Sequence, residues 1–426
     1  MNRIFTNSFI YLCVLLFSCA VFGQNRNQSG VDKKLRLSSF QIDVTPPLGY
    51  KMPYGTVIGS SDLGLRAKGI VISGSDSPIV LISVDWLGIG NDCHEEFKRS
   101  LARAAGTIPE RVAIHVIHQH DAPYPKDFLN DSFALSTIHR LEMAVVNSLE
   151  NTVPITHIGL GEAEVFNVAS NRRILGDDGK VKAMRWTSCP DSALRAEPEG
   201  LIDPMLSAVS FWNEDKPVAV LNFYATHPQS YYGTGVPNPD YPGIARFYRQ
   251  LALPEAMQIY FNGAGGNVGA GKYNDGSHEN RGNLAGRLAE GMKRAWENTK
   301  RTAITSSDIG WIIESVALPL DSIKAGKMLW DRYKAGKKVD MQCLTIGRDA
   351  RVLFMPGELL VEYQLAAKKM RPDLFVAMAA YGDIGFGYIP PAKDFPQGGY
   401  EVEVAKIKPE AEAVILKAID KLLHIN

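Results

Sequence analysis

The run Arg111-Val112-Ala113-Ile114-His115-Val116-Ile117-His118-Gln119-His120-Asp121-Ala122-Pro123 is apolar until it closes on two histidines one residue apart. Its β-branched residues predict a strand, and Pro123, which cannot donate to a ladder, predicts where the strand is over. Because a strand turns successive side chains to opposite faces, this spacing presents His118 and His120 together and His115 on the other side. Sites in α/β proteins form at strand ends, and a His-x-His there reads either as hydrogen-bonding loop histidines or as metal ligands.

Two further apolar runs end in the same manner. Residues 217–225 close on Thr226-His227-Pro228, and residues 351–355 close on Pro356-Gly357-Glu358. Strand ends on one edge converge, so these positions can meet although they lie far apart in the chain. Two neutral imidazoles and a carboxylate, with one position left open for water, make the ligand set of a catalytic zinc. A structural zinc site would be closed and sulfur-rich, whereas beyond its leader this chain has only Cys93, Cys189 and Cys343, widely spaced.

The 426 residues carry 46 Lys and Arg against 46 Asp and Glu, and 45% are hydrophobic, a globular balance that gives nucleic acid no charge to follow. Met1-Asn2-Arg3, the apolar run 9–17 and the small residues before Gln24 read as a secretory signal over 1–23, followed by a polar linker over 24–36. The protein is therefore expected in the periplasm or outside the cell, with no membrane span. Leu16-Phe17-Ser18-Cys19 lies close to a lipoprotein box, but the bulky Phe17 favours simple cleavage over an anchor on Cys19.

Periodicity predicts helices over 92–105, 134–150, 282–299, 357–370 and 409–423, and strands over 68–73, 78–85, 206–212, 257–262, 308–318, 341–347 and 374–381. With no internal repeat and no linker-like break, residues 37–426 read as one α/β domain of mixed α+β type, its layered mixed sheets flanked by helices and its site at strand C-terminal ends. Asp85, which closes its run abruptly, is either a turn residue or a carboxylate supporting a ligand. Gly266-Asn267-Val268-Gly269-Ala270-Gly271-Lys272 fits the first seven positions of a phosphate-binding P-loop, but Tyr273 stands where Ser or Thr should follow. These glycines read instead as places of close backbone approach.

The ordered set Asp43-Val44-Thr45-Pro46, Ser83-Val84-Asp85, His118-x-His120-x-x-Pro123, Asn171-Arg172, Phe223-x-x-x-His227-Pro228-x-Ser230, Gly266-Asn267-Val268, Pro356-Gly357-Glu358, Gly387-Tyr388-Ile389 and Tyr400-Glu401 resembles the catalytic domain of neutral ceramidases and their bacterial relatives. Those are secreted zinc amidases that cleave the N-acyl bond of ceramide. The resemblance implies Zn2+ held by His118, His227, Glu358 and Tyr388, with zinc-bound water attacking an N-acyl carbonyl. It implies His120 as oxyanion donor or proton carrier, Arg172 as a fixed positive charge, with Arg173 next to it as the rival, and Tyr400 as a donor behind the ligands or a solvated loop tyrosine.

The chain departs from that pattern in three places. The family's His-Thr-His-Ser-Gly-Pro is here His118-Gln119-His120-Asp121-Ala122-Pro123, and Gly269 stands where ceramidases carry a functional serine. The C-terminal immunoglobulin-like domain of full-length ceramidases is also expected to be missing. Zinc hydrolysis should survive these changes, with the substrate either an N-acyl compound, sphingolipid-like in the family, or an acylated carbohydrate cleaved by an esterase or deacetylase. A non-catalytic surface-binding protein on the same scaffold is the alternative from another class. Tyr124, Tyr231 and Tyr232 could stack on a sugar or line an acyl groove, while Trp86 reads as core.

Overall fold

The strands Ile79–Val84, Val112–Val116 and Ala350–Phe354 are buried on both faces, which is why they read as unbroken apolar runs. The computed structural model describes residues 34–424, so the leader over 1–23 and the linker up to Lys33 lie outside the described residues. β1 (Arg36–Asp43) opens inside the stretch expected as linker, because Leu35 already packs into the core.

β1, β2 (Arg66–Ser73), β3 (Ile79–Val84) and β4 (Val112–Val116) make the first sheet in the order β4-β3-β2-β1, with Val153–Pro154 on its edge. β5 (His157–Glu164), β6 (Met205–Asn213), β7 (Lys216–Tyr224) and β8 (Met257–Asn262) make the second in the order β8-β7-β6-β5, extended by Lys300–Ala303. β9 (Ile309–Val316), β10 (Val339–Ile346), β11 (Ala350–Phe354) and β12 (Phe375–Ala379) make the third, in chain order.

Ile79 and Leu81 of β3 share one core with Leu221 and Phe223 of β7 and with Val352 and Phe354 of β11, while Val80 and Ile82 face a second core under helices. α1 (Asn91–Ala105) and α2 (Ser132–Leu149) pack on the first sheet, and α3 (Asp240–Ala252) and α4 (Glu279–Glu297) on the second. α5 (Val361–Met370) and α6 (Ala411–Leu423) pack on the third. This is the mixed α+β arrangement of layered sheets flanked by helices that the sequence predicts. Among the described residues no helix is long and apolar enough to cross a membrane.

Each sheet is antiparallel except for one pair: β3 with β4, β7 with β8, and β11 with β12 run parallel. The C-terminal ends of these three pairs are stitched together. Val116 N donates to Tyr381 O at 3.0 Å, Ile117 N to Val84 O at 2.9 Å, and Ala380 N to Asn262 O at 2.8 Å. Strand ends from three sheets thereby meet at one place, and the sequence segments that follow them are the ones ending in His118, His227 and Glu358.

One local expectation is corrected, and two elements are found that periodicity does not anticipate. The helix expected over 357–370 begins only at Val361, because Gly357 has φ +65 and Glu358–Leu359 pairs parallel with Tyr388–Ile389. Neither α3 nor β5 is anticipated by periodicity. Pro242 and Gly243 in the first turn of α3 read as loop, and Gly159 and Gly161 interrupt the pattern of β5. A side chain at Gly161 would collide with Ala295 O at 2.1 Å, so that glycine lets α4 lie against the sheet.

Asp85, finally, supports no ligand. Its fully buried carboxylate forms a two-point ion pair with Arg246 of α3, at 2.7 and 2.6 Å, and also accepts Arg66 N at 2.8 Å. Breaking one half of a buried pair strands the other charge, so Arg246→Ala is expected to cost about 3–5 kcal/mol. Urea unfolding checks this, and a loss below about 1 kcal/mol, the range of exposed pairs, would show that the pair does not tie α3 to the first sheet.

Candidate metal centre

β4 ends at Val116, and His118 follows with φ +66. His118 and His120 therefore meet through a turn and not by strand alternation, which corrects the sequence expectation. The strand stops early because Ile117 N is taken by Val84 O and His118 N by Trp86 O, which draws the chain across the end of β3. A left-handed backbone at a non-glycine residue costs about 1–2 kcal/mol and persists here because those bonds hold it. The two rings still come together, with His120 Nε2 3.4 Å from His118 Nε2. His115, on the far face, donates through Nδ1 to Ala380 O at 2.7 Å and stays out of the cluster.

The Nδ1 atom of His118 lies 2.8 Å from Leu87 O, and that of His227 lies 2.7 Å from Gly265 O. A carbonyl oxygen can only accept, so both rings carry hydrogen on Nδ1 and, when neutral, turn an Nε2 lone pair inward. Both Nε2 atoms face the same oxygen, Glu358 Oε2, at 3.3 and 3.5 Å. That oxygen is buried and, among the described residues, has no donor. His118, His227 and Glu358 present ligand atoms that all lie within 4.8 Å of one another.

Burial opposes charge on Glu358, and it is protonated imidazoles at His118 and His227, by attraction and hydrogen bonding, that would hold its carboxyl well below the usual carboxylate range; with those rings neutral that compensation is gone. Burial also pushes the His227 imidazole down, toward its neutral form. An anion facing inward lone pairs in a dry interior is unfavourable unless a cation sits between them, so these residues fit a divalent metal ion.

Pairing of Glu358–Leu359 with Tyr388–Ile389 sets Tyr388 beside Glu358, and its hydroxyl is 3.1 Å from His227 Nε2. Burial raises the Tyr388 phenol well above its ordinary range, and a bound cation would act in the opposite sense. The glycines of residues 263–271 make this geometry possible. A side chain at Gly266 would meet Glu358 O at 2.7 Å, and one at Gly265 would meet Thr226 N at 2.7 Å. The next helix, α4, opens only at Glu279 and not directly at Lys272, so the P-loop likeness has no structural counterpart.

A cavity of about 290 Å³ opens above the cluster, with His227 and Tyr388 in its wall. Arg172 and Arg173 alternate across the backbone and share one buried carboxylate, Arg172 Nε to Glu401 Oε1 at 2.6 Å and Arg173 Nη1 to Oε2 at 3.1 Å. Only Arg172 faces this cavity; Arg173 lines a neighbouring one. Arg172 Nη2 is buried without an acceptor, and its guanidinium lies 5.2 Å from the Tyr388 ring centroid. Tyr400 stands half-exposed at the mouth, edge-on to Tyr388 and Trp186.

Sequence reasoning missed Tyr54, Trp186 and Tyr381. Tyr54 stacks on His120 with centroids 4.7 Å apart, and Tyr232 meets the same ring edge-on at 4.6 Å. Tyr381, fully buried, stacks on His118 at 4.9 Å. Its one signal was its place at the end of a buried run, the mark that also singled out His227; nothing local distinguishes Tyr54 or Trp186. Trp86 is core as expected, and Tyr124 lines a separate cavity.

The departures from the ceramidase pattern have physical readings. Asp121 is buried and accepts from Gly233 N at 2.8 Å and from Thr234 Oγ1 at 2.7 Å, which fixes the loop that carries Tyr232. At Gly269 an added Cβ would find nothing nearer than His227 Cβ at 3.8 Å, so a serine would fit and the position is simply without a hydroxyl.

Two solved structures share the fold. Neutral ceramidase from Pseudomonas aeruginosa is 15% identical, with a TM-score of 0.67 over 92% of this chain and 74% of the other. A ceramidase complexed with C2 is also 15% identical, with a TM-score of 0.64 over 92% and 75%. No family model and no curated protein matches the sequence. The resemblance read from scattered motifs is thus met again in the fold.

Replacing Asp121 by alanine removes a charged acceptor from two backbone amides and a hydroxyl. Hydrogen bonds to charged groups are worth about 1.5–3 kcal/mol each, so the opening free energy of residues 231–236 is expected to fall by at least that amount. Amide hydrogen exchange at Gly233 and Thr234 measures it, and unchanged protection would show that the loop is held by other contacts.

Proposed function

We propose that this protein is a zinc-dependent hydrolase of the neutral ceramidase type that cleaves an N-acyl amide bond. One observation carries the reading: two imidazoles, each fixed by a backbone carbonyl on Nδ1, aim Nε2 at a buried carboxylate oxygen that has no donor. The fold shared with ceramidases supports it. His118, His227, Glu358 and Tyr388 would hold the ion. Bound there, zinc would polarise the scissile carbonyl and make water acidic enough to attack near neutral pH.

The remaining roles belong to the chain itself. Arg172 offers an unpaired buried donor to the oxygen that gains charge. His120 lies beside the ligands, clamped between Tyr54 and Tyr232, where it can pass a proton to the leaving nitrogen. In balance, the C–N bond breaks, the acyl carbon takes the oxygen of water, and the nitrogen takes a proton. Export is part of the proposal, on the sequence of residues 1–23.

Purified protein is expected to hold one zinc per chain by elemental analysis and to lose both metal and amide turnover on dialysis against a chelator. Changing groups behind a metal ligand costs about 10–100-fold in affinity, so His118→Ala, which removes a ligand itself, should exceed about 100-fold. Stoichiometric zinc with no hydrolysis of any N-acyl or O-acyl compound would leave a binding protein in place of an enzyme.

A further inference from the structure

The cavity over the metal centre is a poor container for a two-chain lipid. Tyr54, Trp186, Tyr231, Tyr232, Tyr388 and Tyr400 line it, the rest of its wall is polar, and among the described residues no aliphatic side chain contributes. Aliphatic side chains line a separate cavity on the Arg173 side, where Ile174, Leu175 and Leu201 stand. At about 290 Å³ the site cavity is at the small end of the roughly 300–1,000 Å³ common for small-molecule pockets. Long acyl chains are bound by burying methylenes against aliphatic surface, and here that surface is absent.

What the wall offers is flat rings and unused polar atoms. Tyr54, Trp186, Tyr232 and Tyr400 are 37% to 45% exposed, so their rings are open to a ligand at the mouth. They are held in two edge-to-face pairs, Tyr54 with Tyr232 at 4.9 Å and Trp186 with Tyr400 at 5.2 Å, which fixes their orientation before anything binds. Deeper in, Arg172 Nη2 and His120 Nδ1 are buried without partners, and Arg172 as a whole is 5% exposed. A buried donor without an acceptor is costly, and a ligand that brings oxygen atoms relieves that cost.

We infer that the acyl group cleaved here is carried on a compact polyhydroxylated ring, such as an amino sugar or aminocyclitol bearing a short N-acyl group, and not on a long-chain sphingoid base. The inference rests on the hydrolase reading of the metal centre. Ring C–H faces would stack on the aromatic walls, hydroxyls would pair with the phenols and Arg172, and the short acyl carbon would reach the floor where His227 and Tyr388 stand.

Binding and turnover are tested separately. Metal-free full-length protein is titrated with N-acetylglucosamine, N-acetylgalactosamine and a short-chain ceramide in detergent while tryptophan emission is followed. A saturable change is expected with at least one sugar in the wild type and not in Trp186→Phe, a half-exposed position whose replacement leaves the core untouched. With zinc restored, kcat/KM for that sugar should exceed that for the ceramide by more than about 100-fold, since about 100-fold is the most that a purely apolar pocket discriminates by one group and a hydrogen-bonding site rejects a ligand lacking its groups by about 10⁴–10⁵-fold. An O-acetylated methyl glucoside in the same panel tells ester from amide preference within the same class. Faster turnover of the ceramide overturns the inference and leaves the hydrolase reading intact, as does zinc-dependent cleavage of other amides without sugar binding. Absence of both zinc and any acyl hydrolysis overturns the hydrolase reading and the inference together.

Discussion

A buried carboxylate oxygen of Glu358 faces Nε2 of His118 and of His227, and no donor satisfies it. Charge in a dry interior persists only where something compensates it, so much of the surrounding structure is explained by this one cluster. The Nδ1 atoms are tied to Leu87 O and Gly265 O, which sets the tautomers. Tyr381 stacks on one ring, and Tyr388 brings its hydroxyl to the other. Leu87 and Gly265 follow the ends of β3 and β8, and Tyr381 and Tyr388 both lie in the segment that follows β12.

Those segments meet because each of the three large sheets contains one parallel pair, and the C-terminal ends of these three pairs are joined by backbone hydrogen bonds. Antiparallel neighbours would have sent successive ends to opposite edges. Close approach then needs residues without side chains. Gly265 and Gly266 pass against Thr226 and Glu358 at distances that exclude a Cβ, so the glycine-rich stretch serves contact between loops and not a phosphate.

The second layer of the site is aromatic and set by polar anchors. Asp121, where ceramidases have a serine, holds the loop bearing Tyr232, and Tyr232 with Tyr54 fixes the ring of His120. Glu401 is gripped by Arg172 and Arg173 at once, so the guanidinium that faces the cavity is braced from behind by one that faces away. A wall of phenols and one indole stands over the His118, His227 and Glu358 group, whose ligand atoms are close enough to hold a metal ion.

Sequence by itself determined the layered α+β class and three positions that cluster, His118, His227 and Glu358, since each sits where an apolar run gives way to a polar residue and that change is local, whereas Tyr388 entered only through the family resemblance. It also offered Arg172 with Arg173 as a rival, because alternation over two residues cannot say which face is the inside. Tertiary structure decided the rest. It placed His118 by a left-handed turn instead of a pleat, made Glu358 a strand partner of Tyr388 instead of the start of a helix, and gave Asp85 to Arg246. Tyr54, Trp186 and Tyr381 reach the site only through contacts between distant segments. Periodicity and turn chemistry act over a few residues, whereas hydrogen bonds between loops of different sheets are fixed only when the sheets pack.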